Sequence, residues 1–208
     1  MPTRPSSSTR RPRIPGPERR ALILSAAREA FARDGFHGAG TAAIARAAGC
    51  SEAVLYRHFP SKKALLLAAL EEEVRGRLAT GRAMAPPAGS DPQAGLPETL
   101  DARLHDPEMT TTARLILLAI GMTGDPEVSD AVVGAFENVR RPLRAALEAG
   151  QASGSVRADL DPEVLTWLWH GLFLVAAVRN GIRDDGTALQ AVDAARMLAE
   201  LTAPEGGA

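Results

Sequence analysis

Two short helical patterns lie on either side of a glycine within residues 41–70, and this arrangement constrains the fold more than any other feature of the chain. Thr41 has the side chain of an N-cap, so a first helix is predicted to follow it over residues 42–48. Gly49 can adopt the left-handed conformation that ends a helix, and Ser51 can cap the next one. The segment therefore predicts a helix-turn-helix.

The second of these helices is predicted to bury one side and to present polar residues on the others. Leu55 and Phe59 are spaced i, i+4, so they share the side that packs against the rest of the motif. A helix that enters a DNA groove needs small residues where its backbone approaches the bases and polar tips for contacts. The residues left free to face such a partner are Glu52, Ala53, Tyr56, Arg57 and His58.

The run from Tyr56 to Lys62, with the Ala-Gly-Cys-Ser turn and the Thr-started helix before it, resembles the DNA-binding domain of the TetR family of bacterial transcriptional repressors. The resemblance covers about residues 18–70 and implies a homodimer that binds a palindromic operator in double-stranded DNA. It also implies sugar-phosphate contacts at Thr41, Tyr56, His58 and Lys62. Base-reading or groove-facing positions are implied among Ser51, Glu52, Ala53, Val54 and Arg57.

Three positions of the motif leave its details open. Val54 stands where the family often has Thr or Ser, so it offers no hydroxyl to the DNA, although a valine can pack on a thymine methyl group. Glu52 can accept a hydrogen bond from cytosine N4 or can repel phosphates. Cys50 is interpreted as a small buried hydrophobe rather than a redox sensor, because burial suppresses thiolate reactivity.

Basic residues are concentrated in the first part of the chain. Residues 1–84 contain 15 Lys and Arg against 7 Asp and Glu, a net charge of +8. Residues 85–208 contain 9 against 18, a net charge of −9. Only the first part therefore suits a polyanion such as DNA.

Residues 1–17 are predicted to form a flexible basic arm, because they combine arginines with Pro, Ser and Thr and have few apolar residues to bury. This arm either contacts the DNA or is a solvated tail. Its candidate DNA contacts are Arg10, Arg11 and Arg13. A helix is predicted after the arm, over residues 18–33, and Gly35 is predicted to end it.

The rest of the chain shows helical patterns, which predicts an all-α fold with a helix-turn-helix domain over 18–62 and an effector-binding and dimerisation domain over 63–208. A long helix is predicted to start at Ser61, as its cap, and to reach about Met84. Pro142 implies either a kink in one helix or a break into two. The other helices are predicted over about 96–105, 108–122, 126–150, 162–183 and 187–202.

Within the helix predicted over about 162–183, residues 164–178 are apolar on nearly every side. A span of a bilayer needs about 20 apolar residues, so this segment is too short for a membrane helix. One side is therefore predicted to face the domain core and another to face a second subunit. We expect a homodimer without a membrane contact.

The second domain also offers candidates for the pocket of a small, mostly apolar effector. His170 is the only ionisable residue between Glu163 and Arg179, so it either finds a hydrogen bond in the core or gives a ligand a polar handle. Each candidate can instead be an ordinary core residue. The candidates are Met109, Leu118, Met122, Phe136, Trp169, His170 and Phe173.

Other classes of function find little support in the sequence. The four histidines and one cysteine lack metal-ligand spacing, no cofactor is predicted, and no phosphate loop or nucleophile elbow indicates an enzyme. The lone cysteine and the lack of an export signal lead us to expect a cytoplasmic protein. Two alternatives to a ligand-released repressor stay open, a DNA-binding protein without a ligand and an activator.

Overall fold

The computed structural model describes residues 15–79, 91–106, 108–182 and 190–204, and within these ranges the regular structure is helical. This confirms the all-α fold, in which a three-helix N-terminal unit leads through a long helix into a larger helical unit. The helices are α1 (Gly16–Gly38), α2 (Thr41–Ala47), α3 (Glu52–His58), α4 (Lys62–Ala79), α5 (Pro92–Leu104), α6 (Met109–Ile120), α7 (Pro126–Ser153), α8 (Pro162–Ile182) and α9 (Gln190–Thr202).

Two glycines shape the N-terminal unit because they adopt left-handed backbone conformations. Gly35 has φ of 69° and interrupts the helical geometry of α1, as predicted, although one more turn continues to Gly38. Gly49 has φ of 66° between α2 and α3, which confirms its role in the turn. Residues with a Cβ atom rarely adopt such angles, so these positions favour glycine.

Most of the predicted N-caps are present. The hydroxyl of Ser51 accepts a hydrogen bond from the backbone N–H of Val54 at 3.3 Å, and Ser61 accepts one from Ala64 at 3.0 Å. The prediction that Thr41 caps α2 is wrong. The helix begins at Thr41 itself after Gly40, which provides no side chain for capping, and the Thr41 hydroxyl binds a side chain of α3 instead.

Helix α7 is continuous for 28 residues and contains Pro142, so the alternative of two separate helices is wrong. The carboxylate of Asp125 caps its start by accepting a hydrogen bond from the N–H of Glu127 at 3.0 Å. The predicted end of α4 near residue 84 and the Pro-rich segment after it lie outside the described residues, apart from residues 91 and 92.

Two hydrophobic cores hold the helices together. The first contains buried residues of α1 to α4 and extends into the larger unit through Leu115 and Ala119 of α6 and Val128 and Val132 of α7. The second joins α5, α7, α8 and α9 around Trp169 and Phe173. The first core therefore crosses from one unit to the other, while the domain boundary between residues 62 and 63 stays a prediction.

Helix α8 exposes a row of large apolar side chains that neither core covers. The exposed residues lie at spacings of three, four and seven along the helix, so they share one side. Helix α9 adds Met197 and Leu201, which are also exposed. The row on α8 consists of Val164, Trp167, Leu168, Val175 and Ile182. No helix in the described ranges has the length and hydropathy to cross a membrane.

The contact between α6 and α8 generates a prediction about stability. A Cβ atom added at Gly181 would lie 2.8 Å from the Cβ of Ala113, and this neighbour cannot rotate away. We expect Gly181→Ala to lower the free energy of unfolding by about 1–3 kcal/mol, because the two helices must separate. Urea unfolding followed by circular dichroism measures this change.

Gly134→Ala is the matched control, because a Cβ atom at Gly134 in α7 would meet no atom within 4 Å. It should raise the free energy of unfolding by about 0.5–1 kcal/mol through the lower entropy of the unfolded chain. Equal effects of the two substitutions would contradict the close approach of α6 to α8.

Candidate nucleic-acid interface

The short helix α3 is held in place by its buried side and by a contact from α1. Leu55 and Phe59 are almost fully buried in the first core, as their spacing predicts. The guanidinium of Arg19 donates hydrogen bonds to the backbone carbonyls of Ala48 at 2.6 Å and Gly49 at 3.1 Å. Because α1 thereby grips the turn between α2 and α3, the outer side of α3 has a fixed orientation.

The predicted DNA-contacting residues lie largely on the outer side of this unit. Val54 and His58 are half-buried, as are Thr41 and Lys62 at the flanks. A half-exposed aromatic tip such as that of Tyr56, which is 44% exposed, suits a contact with a sugar or phosphate. The exposed group comprises Ser51, Glu52, Ala53, Tyr56 and Arg57.

Glu52 forms an internal contact on this surface. The Thr41 hydroxyl donates a short hydrogen bond to the Glu52 carboxylate, and the same hydroxyl lies 3.4 Å from the hydroxyl oxygen of Tyr56. A carboxylate, a hydroxyl and a phenol from α2 and α3 therefore form one cluster. The sequence does not reveal this pairing, because the motif relates Glu52 to DNA groups alone.

Lys62 also has partners within the protein. Its ammonium group donates a hydrogen bond to the backbone carbonyl of His37 at 3.3 Å and lies 5.1 Å from the centre of the Phe36 ring. These contacts hold the charge beside the kink of α1. Arg20, which sequence reasoning does not single out, stacks over the Phe59 ring at 5.2 Å.

The neighbouring Lys63 points to the larger unit. Its ammonium group forms ion pairs with Asp125 at 3.0 Å and Glu127 at 2.7 Å, at the start of α7. Hydrogen bonds to Glu127 and Asp125 raise the pKa of Lys63 above its usual value. The acidic residues belong to an Asp-Pro-Glu helix start that the sequence does show, but nothing in it indicates the pairing.

Two further predictions concern Cys50 and the arm. Cys50 is half-buried rather than buried, and it packs against the first core as a small hydrophobe. The arm residues Arg10, Arg11 and Arg13 lie outside the described residues, so their DNA contact stays a prediction.

The predicted ligand-pocket residues are divided between the two cores. Leu118, Met122 and Phe136 pack against the first core, whereas Trp169 and Phe173 are buried in the second. Met109 is also buried. The indole N–H of Trp169 is buried and has no hydrogen-bond partner among the described residues. Such unpaired buried donors are rare, so this one is a marked feature of the second core.

Two of the cavities lined by the described residues flank α4. One of about 350 Å³ opens between α1 and α4, and one of about 660 Å³ opens between α4 and α7. Neither is lined by the seven predicted pocket residues. No group of three or more His, Cys, Asp and Glu in the described ranges could hold a metal ion.

His170 connects α8 with α7. It is 5% exposed. The centres of the His170 and Phe136 rings lie 5.6 Å apart, and the rings meet edge to face. Burial lowers the pKa of His170, and the nearby charge of Arg140 lowers it further. His170 is therefore neutral at pH 7, with one ring nitrogen able to donate and the other to accept a hydrogen bond.

Comparison with known protein families adds independent findings. The family model described as bacterial regulatory proteins of the tetR family matches residues 23–69. A second model, described as a tetracyclin repressor-like C-terminal domain, matches residues 122–196. The first match contains all of α2 and α3, and the second runs from before α7 into α9.

Individual relatives match different lengths of the chain. FasR of Mycolicibacterium smegmatis, a helix-turn-helix transcriptional activator, is 49% identical over 72 residues, which are 34% of this chain and 33% of FasR. RutR of Escherichia coli O157:H7, a transcriptional regulator, is 28% identical over 184 residues, 88% of this chain and 82% of RutR. The solved structure of GusR from Salmonella enterica superimposes with a TM-score of 0.72 at 26% identity, over 93% of this chain and 99% of GusR.

The burial of His170 leads to a prediction about pH. Because its pKa is lowered in the folded protein, the unfolded chain binds more protons below about pH 6.5, and stability must fall as the pH is lowered through that range. We expect His170→Asn to weaken this decrease between pH 7.5 and 5.5, as measured by urea unfolding. His105→Asn, at an exposed position, is the control and should retain it. A decrease of equal size in both variants would contradict the prediction.

Proposed function

The chain belongs to the TetR family of DNA-binding transcriptional regulators, and on that premise we propose that it represses transcription as a homodimer on a palindromic operator. A small, mostly apolar ligand releases it from the DNA. The observation that carries the proposal is the fixed outer side of α3, which presents polar and aromatic side chains next to a basic flank. Such a protein acts where the bacterial DNA is, in the cytoplasm.

On the DNA, side chains of two kinds divide the work. Thr41, Tyr56, His58 and Lys62 hold the sugar-phosphate backbone and set the register of α3. The groove-facing residues read the bases: Ser51, Glu52, Ala53, Val54 and Arg57. Ser51 caps the helix by accepting one hydrogen bond, which leaves its O–H able to donate to the DNA, and Arg57 is the side chain suited to a guanine. The arm arginines Arg10, Arg11 and Arg13 add affinity at low salt.

Glu52 has a more specific role in this proposal. In the free protein its carboxylate accepts a hydrogen bond from the hydroxyl of Thr41, and Thr41 is one of the proposed phosphate contacts. A phosphate that approaches Thr41 therefore competes with Glu52 for the same hydrogen bond. The acidic group thereby weakens binding to every DNA sequence. Only sequences that offer Glu52 a new hydrogen-bond donor, such as cytosine N4, then form a stable complex.

Dimerisation is proposed to occur through the exposed apolar row of α8 and the exposed residues of α9. One helix-turn-helix makes few base contacts, and two of them placed about 34 Å apart, or a multiple of that distance, double the number. Exposed rows of large apolar residues mark protein interfaces. A second copy covers the row with a self-complementary surface.

The ligand is proposed to bind near His170, Phe136 and the buried Trp169. The neutral imidazole of His170 and the unpaired indole N–H of Trp169 offer polar groups to such a ligand. A ligand with an apolar body and an acceptor atom suits these groups. The other proposed lining residues are Met109, Leu118, Met122 and Phe173.

Activation is the second candidate function, and the similarity to FasR favours it, since that relative is an activator. Promoter geometry sets the sign, because a dimer that overlaps the polymerase site represses and one bound upstream can recruit the polymerase. A reporter gene placed behind the operator distinguishes the two. Reporter output that falls when the protein is expressed supports repression, and output that rises supports activation.

Lys62 provides a test of the DNA-binding proposal. We expect Lys62→Ala to weaken binding to all sequences and to flatten the slope of log K against log salt by about 0.9 for each phosphate that the variant no longer neutralises. An operator selected from random DNA by the full-length protein serves as the ligand, and fluorescence anisotropy at several salt concentrations gives the slope.

Lys63→Ala is the control for this experiment. It removes the same charge at the next residue, where the ammonium group is already paired with Asp125 and Glu127. Its effect on the salt slope should be smaller. An unchanged slope for Lys62→Ala, or equal slopes for the two variants, would remove Lys62 from the set of phosphate contacts.

The apolar row provides a test of the dimer. Leu168 is half exposed on this row, so Leu168→Asp should give monomers with unchanged helix content. Leu172 is partly buried against the second core, so Leu172→Asp should reduce the helix content instead. Sedimentation velocity and circular dichroism separate these outcomes. A wild-type chain that sediments as a monomer at micromolar concentration would contradict the proposed dimer.

A further inference from the structure

Glu73 of α4 is a buried carboxylate at the centre of a polar cluster, about three helical turns along α4 from Lys62. It is 7% exposed. Arg28 of α1 donates a hydrogen bond to one of its oxygens at 3.1 Å, and Arg77 of α4 donates to the other at 2.7 Å. The Thr112 hydroxyl of α6 donates a short hydrogen bond to the same oxygen as Arg77. The Glu73 carboxylate therefore links its own helix α4 to α1 and α6.

The partners of Glu73 are themselves held by the connection before α6. Arg28 forms a second ion pair with Glu108 at 2.6 Å, and Arg77 forms one with Asp106 at 3.3 Å. Arg77 also donates to the Thr112 hydroxyl at 2.9 Å. Each arginine thus links Glu73 to an acidic residue near the start of α6, so the cluster is anchored on that side.

A cavity of about 350 Å³ lies directly beside this cluster, between α1 and α4. Its apolar lining includes Leu24 of α1 and Ala69 of α4, and its polar lining includes Arg28, Glu73 and Arg77. Apolar packing is therefore incomplete at the place where α1 meets the cluster. Apolar contacts have no preferred direction, whereas charged hydrogen bonds do, so the cluster restricts the tilt of α1 more than apolar packing alone does.

We propose that Glu73 is a positioning residue that fixes the orientation of the DNA-binding unit, α1 to α3, on the larger helical unit. The cluster is a directional link between the two, in addition to the hydrogen bond from Lys62 of α4 to the His37 carbonyl of α1, and the first core supplies non-directional contact. The orientation of this unit matters for the proposed function because it sets where α3 lies in each subunit of a dimer. The link itself does not depend on DNA or on a ligand.

The ionised form of Glu73 maintains this link. Burial acts to raise the pKa of Glu73, but hydrogen bonds from Thr112, Arg77 and Arg28 outweigh it, and the pKa lies below its usual value. Glu73 is therefore charged at neutral pH. Removing its charge leaves two partly buried guanidinium groups with less compensation, and one of the two oxygens that accept from Arg28, Arg77 and Thr112 becomes a donor instead.

Distance measurements between two spin labels test the proposal without DNA or ligand. In the full-length chain with Cys50→Ala, labels are attached at Ala47→Cys in α2 and Ala145→Cys in α7, which are both exposed. Excess unlabelled protein removes distances between subunits. The parent chain should give a narrow distance distribution in electron–electron double resonance.

Glu73→Gln should shift and broaden this distribution while circular dichroism shows unchanged helix content. Glu72→Gln is the matched control, since this neighbour on α4 is more exposed and pairs with Arg75 on the same helix. It should leave the distribution narrow. If Glu73→Gln fails to fold, Thr112→Val decides, because it removes the bond to α6 at nearly constant volume and should also broaden the distribution.

Two outcomes would overturn the proposal. One is a broad distribution in the parent chain, since the unit then has no fixed orientation. The other is equal widths for the folded Glu73 or Thr112 variant and the Glu72 control. Neither result bears on DNA binding, which is measured separately, so a failure of this link and a failure of the proposed function are distinguishable.

Discussion

The first hydrophobic core is the contact on which the rest of the structure depends. It buries Leu55 and Phe59, which gives α3 its orientation, and in the same volume it packs α1 and α4 against Leu115 of α6 and Val128 of α7. Side chains from both parts of the chain share one interior. A rearrangement of α6 or α7 therefore cannot leave α1 and α4 undisturbed, because well-packed interiors transmit displacement rather than absorb it.

Sequence reasoning succeeds where a local rule determines the structure. Gly35 and Gly49 need positive φ, Ser51 and Ser61 cap the helices that follow them, and Leu55 lies on the buried side of α3. Each feature depends on residues within about one turn of helix. The all-α fold follows from the same rules, because the helical period and the helix-start residues recur along the chain.

The errors and omissions concern contacts between helices. The sequence predicts Thr41 as a cap, but Glu52, 11 residues away, takes its hydroxyl. Lys63 pairs with acidic residues 62 and 64 positions along the chain. A lysine or glutamate on a helix has several possible partners of opposite charge, and the sequence does not show which of them packing brings near. The buried position of Glu73 escapes sequence reasoning for the same reason.

The predicted pocket is indeterminate for a related physical reason. Large apolar and aromatic side chains at helical spacing serve a core and a ligand site equally well, and Trp169 and Phe173 are deeply buried in the second core while Leu118 and Met122 lie against the first. Hydrophobic pattern states that a side chain is covered. The pattern does not show whether protein atoms or ligand atoms cover the side chain, because that depends on tertiary packing.

Helix α4 brings together the parts of the molecule that a regulator must couple. Its Lys62 lies beside the DNA-facing surface and contacts α1. Its Lys63 forms ion pairs with the start of α7, and its Glu73 accepts hydrogen bonds from α1 and α6. A ligand that binds one arrangement of these helices better than another changes the affinity for DNA, and DNA changes the affinity for the ligand by the same factor. A hundredfold change needs a coupling free energy of about 2.7 kcal/mol. This is the scale of one or two charged hydrogen bonds to a buried group, so contacts of the kind formed by Glu73 are strong enough to carry the coupling without a rearrangement of either core.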